Sequence, residues 1–343
     1  QAGPKQSVYT SAHIPGPPWR TCSMDRGLVS CEWLHGELQG PGAGSVRVVD
    51  ATWYLANSPF CAPEGSGGAR ADFEAGPRLP GAAFFDIDGV ATPTPGLVHM
   101  VPSEETFAAA MASLGIEPNT RVVAYDRHGV FSAPRFWYTL KVVFGHPGEV
   151  AVLDGGLPRW KELGYPLEDG DCVVRPPAAS AVWKRADELV WNLERVQANI
   201  EAREALLLDA RSAGRFHGTA PEPRAGLRGG HVPGSRSLPF TDLLDATSAP
   251  GSVPRSMLPP DALKERFAAA GVAVDELRAA GSVAVVASCG SGLTSCVLGL
   301  ALHVLGVPVG RWAVYDGSWS EWGASPSTPI VRQGADGQEE PVP

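Results

Sequence analysis

The six residues Cys289-Gly290-Ser291-Gly292-Leu293-Thr294 stand between two apolar runs of different length. Before them, Val283–Ala287 reads as a short buried strand; after them, Cys296–Leu305 has the length of a helix. A cysteine at such a strand-to-helix junction sits where backbone N–H groups and the helix dipole favour negative charge. That placement depresses a thiol pKa and yields the thiolate, the nucleophilic form. The two glycines let the loop curl so that successive N–H groups point inward as an anion cradle. A lone cysteine more often packs as a small hydrophobe, but a glycine-bracketed loop of small residues favours chemistry.

The other thiols do not share this setting. Cys296 lies on the following helix, where its Cα would be about 10 Å from that of Cys289, beyond disulfide reach, and it reads as core. Cys22, Cys31, Cys61 and Cys172 show no metal-ligand spacing, so no zinc site and no metal is expected. A cysteine phosphatase would carry arginine in a Cys-x5-Arg pattern; Ser295 occupies that position, leaving a phosphate dianion without its bidentate clamp.

The elements that must hold this loop occur twice. Val122-Val123-Ala124-Tyr125-Asp126 matches Val285-Val286-Ala287-Ser288-Cys289, and Val48-Val49-Asp50-Ala51 matches Leu207-Leu208-Asp209-Ala210. Leu79-Pro80-Gly81-Ala82 matches Val232-Pro233-Gly234-Ser235, and Leu153-Asp154-Gly155-Gly156-Leu157-Pro158-Arg159-Trp160 matches Tyr315-Asp316-Gly317-Ser318-Trp319-Ser320-Glu321-Trp322. The common offset of about 160 residues is the size of one domain. Expected strands are Val46–Val49, Val122–Tyr125 and Val150–Leu153, then Ala205–Leu208, Val283–Ala287 and Arg311–Tyr315. Helical spacing covers Glu104–Leu114, Ser132–Val143, Asp261–Ala270 and Ser295–Leu305. Strands alternating with helices predict an α/β fold of two similar domains, each a parallel sheet flanked by helices. The expected layout is a flexible arm over 1–26, a first domain over 27–170, a Pro/Ala-rich linker over 171–182, a second domain over 183–330 and a disordered tail over 331–343. Asp126 stands where the second half has Cys289, so the first domain is expected to be a partner wall without a nucleophile of its own.

Composition agrees with a globular protein: 44% hydrophobic and 19% charged residues over 343. A net charge of −9 argues against nucleic-acid or membrane-surface binding. No apolar run approaches the roughly 20 residues of a bilayer span. Six irregularly spaced cysteines do not form a disulfide framework and suit a reducing compartment.

From about Gly27 to Pro329 the chain resembles the tandem-domain sulfurtransferases, or rhodaneses. The segments that carry it include Phe84-Phe85-Asp86-Ile87-Asp88, His99-Met100-Val101-Pro102, Gly214-Arg215-Phe216-His217-Gly218-Thr219, Pro221-Glu222-Pro223-Arg224 and Gly230-His231-Val232-Pro233-Gly234. The loop Cys-Gly-Ser-Gly-Leu-Thr looks like the 3-mercaptopyruvate sulfurtransferase branch, with Leu293 in place of the usual valine. The segment Ser58–Pro77 is an insertion relative to the family. The resemblance implies two rhodanese-like domains and transfer of sulfur from 3-mercaptopyruvate through a Cys289 persulfide, releasing pyruvate. It implies catalytic roles for Cys289, Ser291, His99 and Asp88, and substrate binding by Arg215 and Arg224. It also implies a persulfide-cradling loop of Gly290, Ser291, Gly292, Leu293 and Thr294. Asp86 competes with Asp88 as the partner of His99, and alignment alone favours Asp88. His231 is expected to be structural. No cofactor is implied. Acceptors would be thioredoxin, small thiols or cyanide, and the compartment a mitochondrion, cytoplasm or plastid. Thiosulfate is the alternative donor, although a doubly charged anion would want positive charge where Gly290 and Ser291 stand. A non-catalytic binding module is the remaining alternative, and the presence of Cys289 counts against it.

Overall fold

Short apolar runs bounded by turn residues become strands buried on both faces when helices cover them. In the computed structural model, which describes residues 24–40, 44–170, 181–245, 255–334 and 338–342, this happens twice. In the first half, β1 (Leu28–Val29), β2 (Val46–Asp50), β3 (Ala83–Phe84), β4 (Arg121–Tyr125) and β5 (Val150–Leu153) pair in parallel in the order β1-β5-β4-β2-β3. In the second, β6 (Val190–Trp191), β7 (Leu206–Asp209) and β8 (Arg236–Ser237) precede a small antiparallel pair, β9 (Leu244–Asp245) and β10 (Ser256–Met257). After them, β11 (Val285–Ser288) and β12 (Trp312–Tyr315) complete a parallel sheet in the order β6-β12-β11-β7-β8. The two orders correspond strand for strand, and the four sequence matches fall at equivalent strand ends. The duplication is therefore one of fold.

The halves share a core. Helix Ser295–Val304, buried nearly all round, packs against helix Ala133–Trp137 and the wider π-helical turn Tyr138–Val143 that continues it. The continuous helix expected over Ser132–Val143 thus changes pitch at Tyr138, where Phe144 N–H bonds to the Thr139 carbonyl five residues back. Phe136, Trp137, Leu298, Leu302 and Trp312 belong to one apolar cluster spanning both halves, and Trp137 stacks on Trp312 at 6.2 Å. Truncating a side chain such as Trp137 to alanine would cost about 3–5 kcal/mol. A face this well packed fixes the cleft between the two sheets' loop ends.

Boundaries differ from expectation at both ends. The expected linker falls largely on residues 171–180 and the arm on 1–23, which lie outside the described residues. Met24–Arg26, expected in the arm, forms a 3-10 turn that buries Met24. Trp183, expected in the second domain, packs against Phe107 and His146 of the first. In place of the disordered tail expected over 331–343, β13 (Ile330–Gln333) and β14 (Glu339–Val342) form an antiparallel ribbon. His231 holds it: its backbone exchanges hydrogen bonds with Val331, and its Nε2 lies 3.2 Å from Glu339 Oε1. With Nδ1 at 2.8 Å from the Phe216 carbonyl and its ring stacked on Phe216, His231 is structural, as expected.

Candidate active site

Cys289 follows directly on β11, at the C-terminal edge of the second sheet, and is 2% exposed. The orientation of its loop comes from the carbonyls. The Cys289 carbonyl accepts from Trp319 N–H at 3.0 Å, and the Gly290 carbonyl accepts from Ser320 N–H at 2.9 Å and from the Ser320 hydroxyl at 2.6 Å. With those oxygens tied outward, the loop N–H groups turn inward. The Ser318 hydroxyl accepts from the Cys289 N–H at 3.1 Å and donates to the Tyr315 carbonyl at 2.7 Å. Gly292 adopts φ +74°, and a Cβ there would meet the Asp316 carbonyl at 2.5 Å, so only glycine fits.

Burial alone would push the Cys289 thiol up. It is nonetheless held below its ordinary value, by hydrogen bonds from the Thr294 hydroxyl and the Ser291 and Ser295 N–H groups. Thr294 makes no side-chain cap to the helix that follows, so its hydroxyl serves the sulfur. Cys296 is the contrast: burial raises it to about 12, and its Sγ lies 3.4 Å from the Gly292 carbonyl. One thiol of the pair is held toward its thiolate and the other is core.

The equivalent loop of the first half supports this account of the cradle. The buried carboxylate of Asp126 accepts from the N–H groups of His128, Gly129, Phe131, Ser132 and Ala133 at 2.8–3.0 Å. An anion cradle survives there, and the chain's own carboxylate fills it.

Two guanidinium groups face the sulfur. Arg215, on the short helix Ala213–Phe216, and Arg224 line a small cleft with Cys289, Gly290, Ser291, Leu293 and Thr294. Arg224 Nη2 donates to Ser291 Oγ at 3.3 Å. Glu222, whose side chain is 2% exposed, grips Arg215 through Oε2 at 2.6 and 3.1 Å and Arg211 through Oε1 at 2.7 Å. Burial holds the Arg224 guanidinium below its ordinary value; the Cys289 thiolate opposes that shift and Arg215 adds to it.

The first half supplies the opposite wall: Trp53, Leu55 and Phe131. Behind Trp53, His99 Nδ1 lies 2.7 Å from Asp88 Oδ1, and Trp53 Nε1–H donates to Asp88 Oδ2 at 2.8 Å. His99 sits at φ +62°, its Nε2 buried with no hydrogen-bond partner among the described residues. Burial lowers the His99 pKa; Asp88 opposes this, while Arg135 and Arg224 add to it, so the ring is neutral near pH 7. For Asp88, burial acts upward, but the hydrogen bonds from His99 and Trp53 outweigh it and hold the carboxyl low. Asp86 turns elsewhere, accepting from Gly89 N–H at 2.9 Å and approaching Arg70 at 3.5 Å. The strand ends at Phe84, so strand alternation does not govern these two aspartates.

The rhodanese-like domain matches twice, over residues 68–163 and 192–325. The chain belongs to the rhodanese family. It is 38% identical over 292 residues to thiosulfate/3-mercaptopyruvate sulfurtransferase 1, mitochondrial, of Arabidopsis thaliana, spanning 80% of this chain and 70% of that protein. To the human 3-mercaptopyruvate sulfurtransferase it is 37% identical over 79% of this chain and 83% of that one. The crystal structure of the 3-mercaptopyruvate sulfotransferase SseA from Escherichia coli superposes with a TM-score of 0.68 at 31% identity, covering 85% of this chain and 98% of that one.

Within this rhodanese, Cys289, Gly290, Ser291, Leu293, Thr294, Arg215 and Arg224 line one cleft, while His99 and Asp88 pair behind Trp53 and Gly292 turns the loop. Trp53, Phe131, Glu222, Ser318, Ser320 and Arg135 were not foreseen. The repeated Asp-Gly-Ser-Trp segment marked the right stretch for the serines, but nothing in it says that their hydroxyls serve the Cys289 loop. The 58–77 insertion also reaches the site's surroundings, because Phe60 stacks on Phe131 at 4.3 Å. Among the described residues there is no metal-ligand cluster and no helix long and apolar enough to cross a membrane.

Proposed function

We propose that the protein is a 3-mercaptopyruvate sulfurtransferase that works through a Cys289 persulfide. The observation that carries this is a thiol at the head of an inward-turned loop, faced by two guanidinium groups, with neutral residues at the two positions after it. Arg215 and Arg224 suit the carboxylate and keto oxygen of an α-keto acid, because the planar fork matches both acceptors. The Cys289 thiolate attacks the donor's thiol sulfur. The S–S bond forms as the C–S bond breaks, and the electron pair moves onto carbon as the enolate of pyruvate. The proton shed by the new persulfide balances the one the enolate takes up. We assign that proton to Ser291, which lines the cleft with Cys289, and to His99, which is paired with Asp88. The inward N–H groups and the Thr294 hydroxyl then hold the terminal sulfur's charge.

In the second half-reaction an acceptor thiolate, from thioredoxin or a small thiol, attacks the terminal sulfur and Cys289 leaves as thiolate. Cys31, Cys61, Cys289 and Cys296 are unpaired by disulfides, which suits a reducing compartment such as cytoplasm or mitochondrial matrix. The test compares pyruvate release from 3-mercaptopyruvate with thiocyanate formation from thiosulfate and cyanide. We expect kcat/KM to favour 3-mercaptopyruvate by at least about tenfold, or about 1.4 kcal/mol. Preference for thiosulfate would overturn the donor assignment.

A further inference from the structure

We infer that Arg135, with Asp316, is a positioning residue that holds the Cys289 loop and the His99 loop in register across the cleft; the inference rests on the sulfurtransferase reading of that cleft. Arg135 belongs to the first half, on helix Ala133–Trp137, and is 2% exposed. Its Nη1 crosses to the second half and donates to the Gly292 carbonyl at 2.9 Å. Its Nη2 donates to Asp316 Oδ1 at 2.7 Å and to the carbonyl of His99. Asp316, from the second half, returns the link: its Oδ2 accepts from the Val101 N–H at 2.8 Å. One buried ion pair therefore grips the sulfur-bearing loop at its left-handed glycine and the His99 segment at the histidine's own carbonyl and again two residues on.

The two held residues are the ones that need holding. Gly292 at φ +74° and His99 at φ +62° both occupy the left-handed region, which for a histidine persists only where the surroundings enforce it. The planar fork of arginine reaches acceptors in different directions, whereas a lysine ammonium is a point donor that cannot span them. An apolar residue at 135 would leave the Gly292 and His99 carbonyls and the Asp316 carboxylate without this partner in a buried place. Neither Arg135 nor Asp316 lines the Cys289 cleft, and the arginines assigned to the donor carboxylate have their own anchors. Loss of Arg135 should therefore slow the chemistry and spare donor binding.

The test uses Arg135→Met and Arg135→Lys in the full-length protein. For both, kcat with 3-mercaptopyruvate should fall about tenfold to a hundredfold, the range for a small misplacement of reacting groups. KM should stay within about twofold, with arginine-to-lysine the milder change. Alkylation of Cys289 by iodoacetamide, which needs no sulfur donor, should slow in parallel as the loop's N–H groups lose their fixed aim. If Arg135→Met does not fold, as judged by circular dichroism, Arg135→Lys carries the test. Wild-type kcat and alkylation rate in a folded Arg135→Lys protein would overturn the inference, as would a kcat held constant while KM rises. If the wild-type enzyme transfers sulfur from neither donor, the functional proposal fails while the alkylation comparison still decides the role of Arg135.

Discussion

Replacing Thr294 by valine removes a hydroxyl and keeps the side chain's shape. That hydroxyl stabilises the Cys289 thiolate together with the Ser291 and Ser295 N–H groups. A hydrogen bond to a charged group contributes roughly 1.5–3 kcal/mol, and Cys289 is too buried for water to replace it. At a tenfold change per 1.4 kcal/mol, the thiolate population at a fixed pH below the thiol pKa should fall about tenfold to a hundredfold. Absorbance of the thiolate near about 240 nm, followed against pH, reads that population. The same titration of Cys289→Ser removes the signal of the remaining thiols. Alkylation should slow by less, about three- to tenfold, because a more basic thiolate is intrinsically more nucleophilic. The sign follows directly. Thr294→Val raises the thiol pKa, so the acid limb of kcat/KM moves to higher pH. A folded Thr294→Val protein with the wild-type titration would refute the idea that this hydroxyl holds the sulfur's charge.

Other expectations follow from the same geometry. Mass spectrometry after exposure to donor should find a gain of one sulfur, about 32 Da, on the Cys289 peptide. The Cys296 peptide, its thiol raised to about 12 by burial, should remain unlabelled; label there would reverse the assignment. Arg215→Ala and Arg224→Ala should each raise KM for 3-mercaptopyruvate, by an amount corresponding to roughly 1.5–3 kcal/mol of charge-assisted binding. Unchanged KM and kcat in both would show that neither arginine touches the donor.

The legible part of this protein follows from local rules. Periods of apolar residues and their repetition predicted the two parallel sheets, because a strand buried on both faces must be apolar throughout, wherever it lies in the chain. The cysteine loop was readable for a similar reason: strand, glycine-bracketed turn and helix are contiguous, so the N–H groups that hold the thiolate come from the same short segment. Resemblance then picked out His99, Asp88, Arg215 and Arg224, although their spacing alone does not bring them together. Strand alternation, which would have left Asp86 and Asp88 equivalent, failed because the strand ends at Phe84.

What only the tertiary structure decided lies between segments far apart in sequence. Trp53 covers Asp88 and His99, Ser318 and Ser320 orient the cysteine loop, and Arg135 reaches Gly292 in the other half. Each looks locally like an ordinary tryptophan, serine or arginine, since its role depends on a backbone group that the shared core brings within hydrogen-bond distance. The same holds at the C-terminus. Composition there suggested disorder, yet Ile330–Gln333 and Glu339–Val342 pair and lean on His231, a contact no local pattern encodes. Sequence by itself thus determined which segment forms the thiol-bearing loop and the kind of fold that presents it. The packing of one half on the other determined what faces the sulfur, because hydrogen bonds act over about 3 Å of space regardless of separation along the chain.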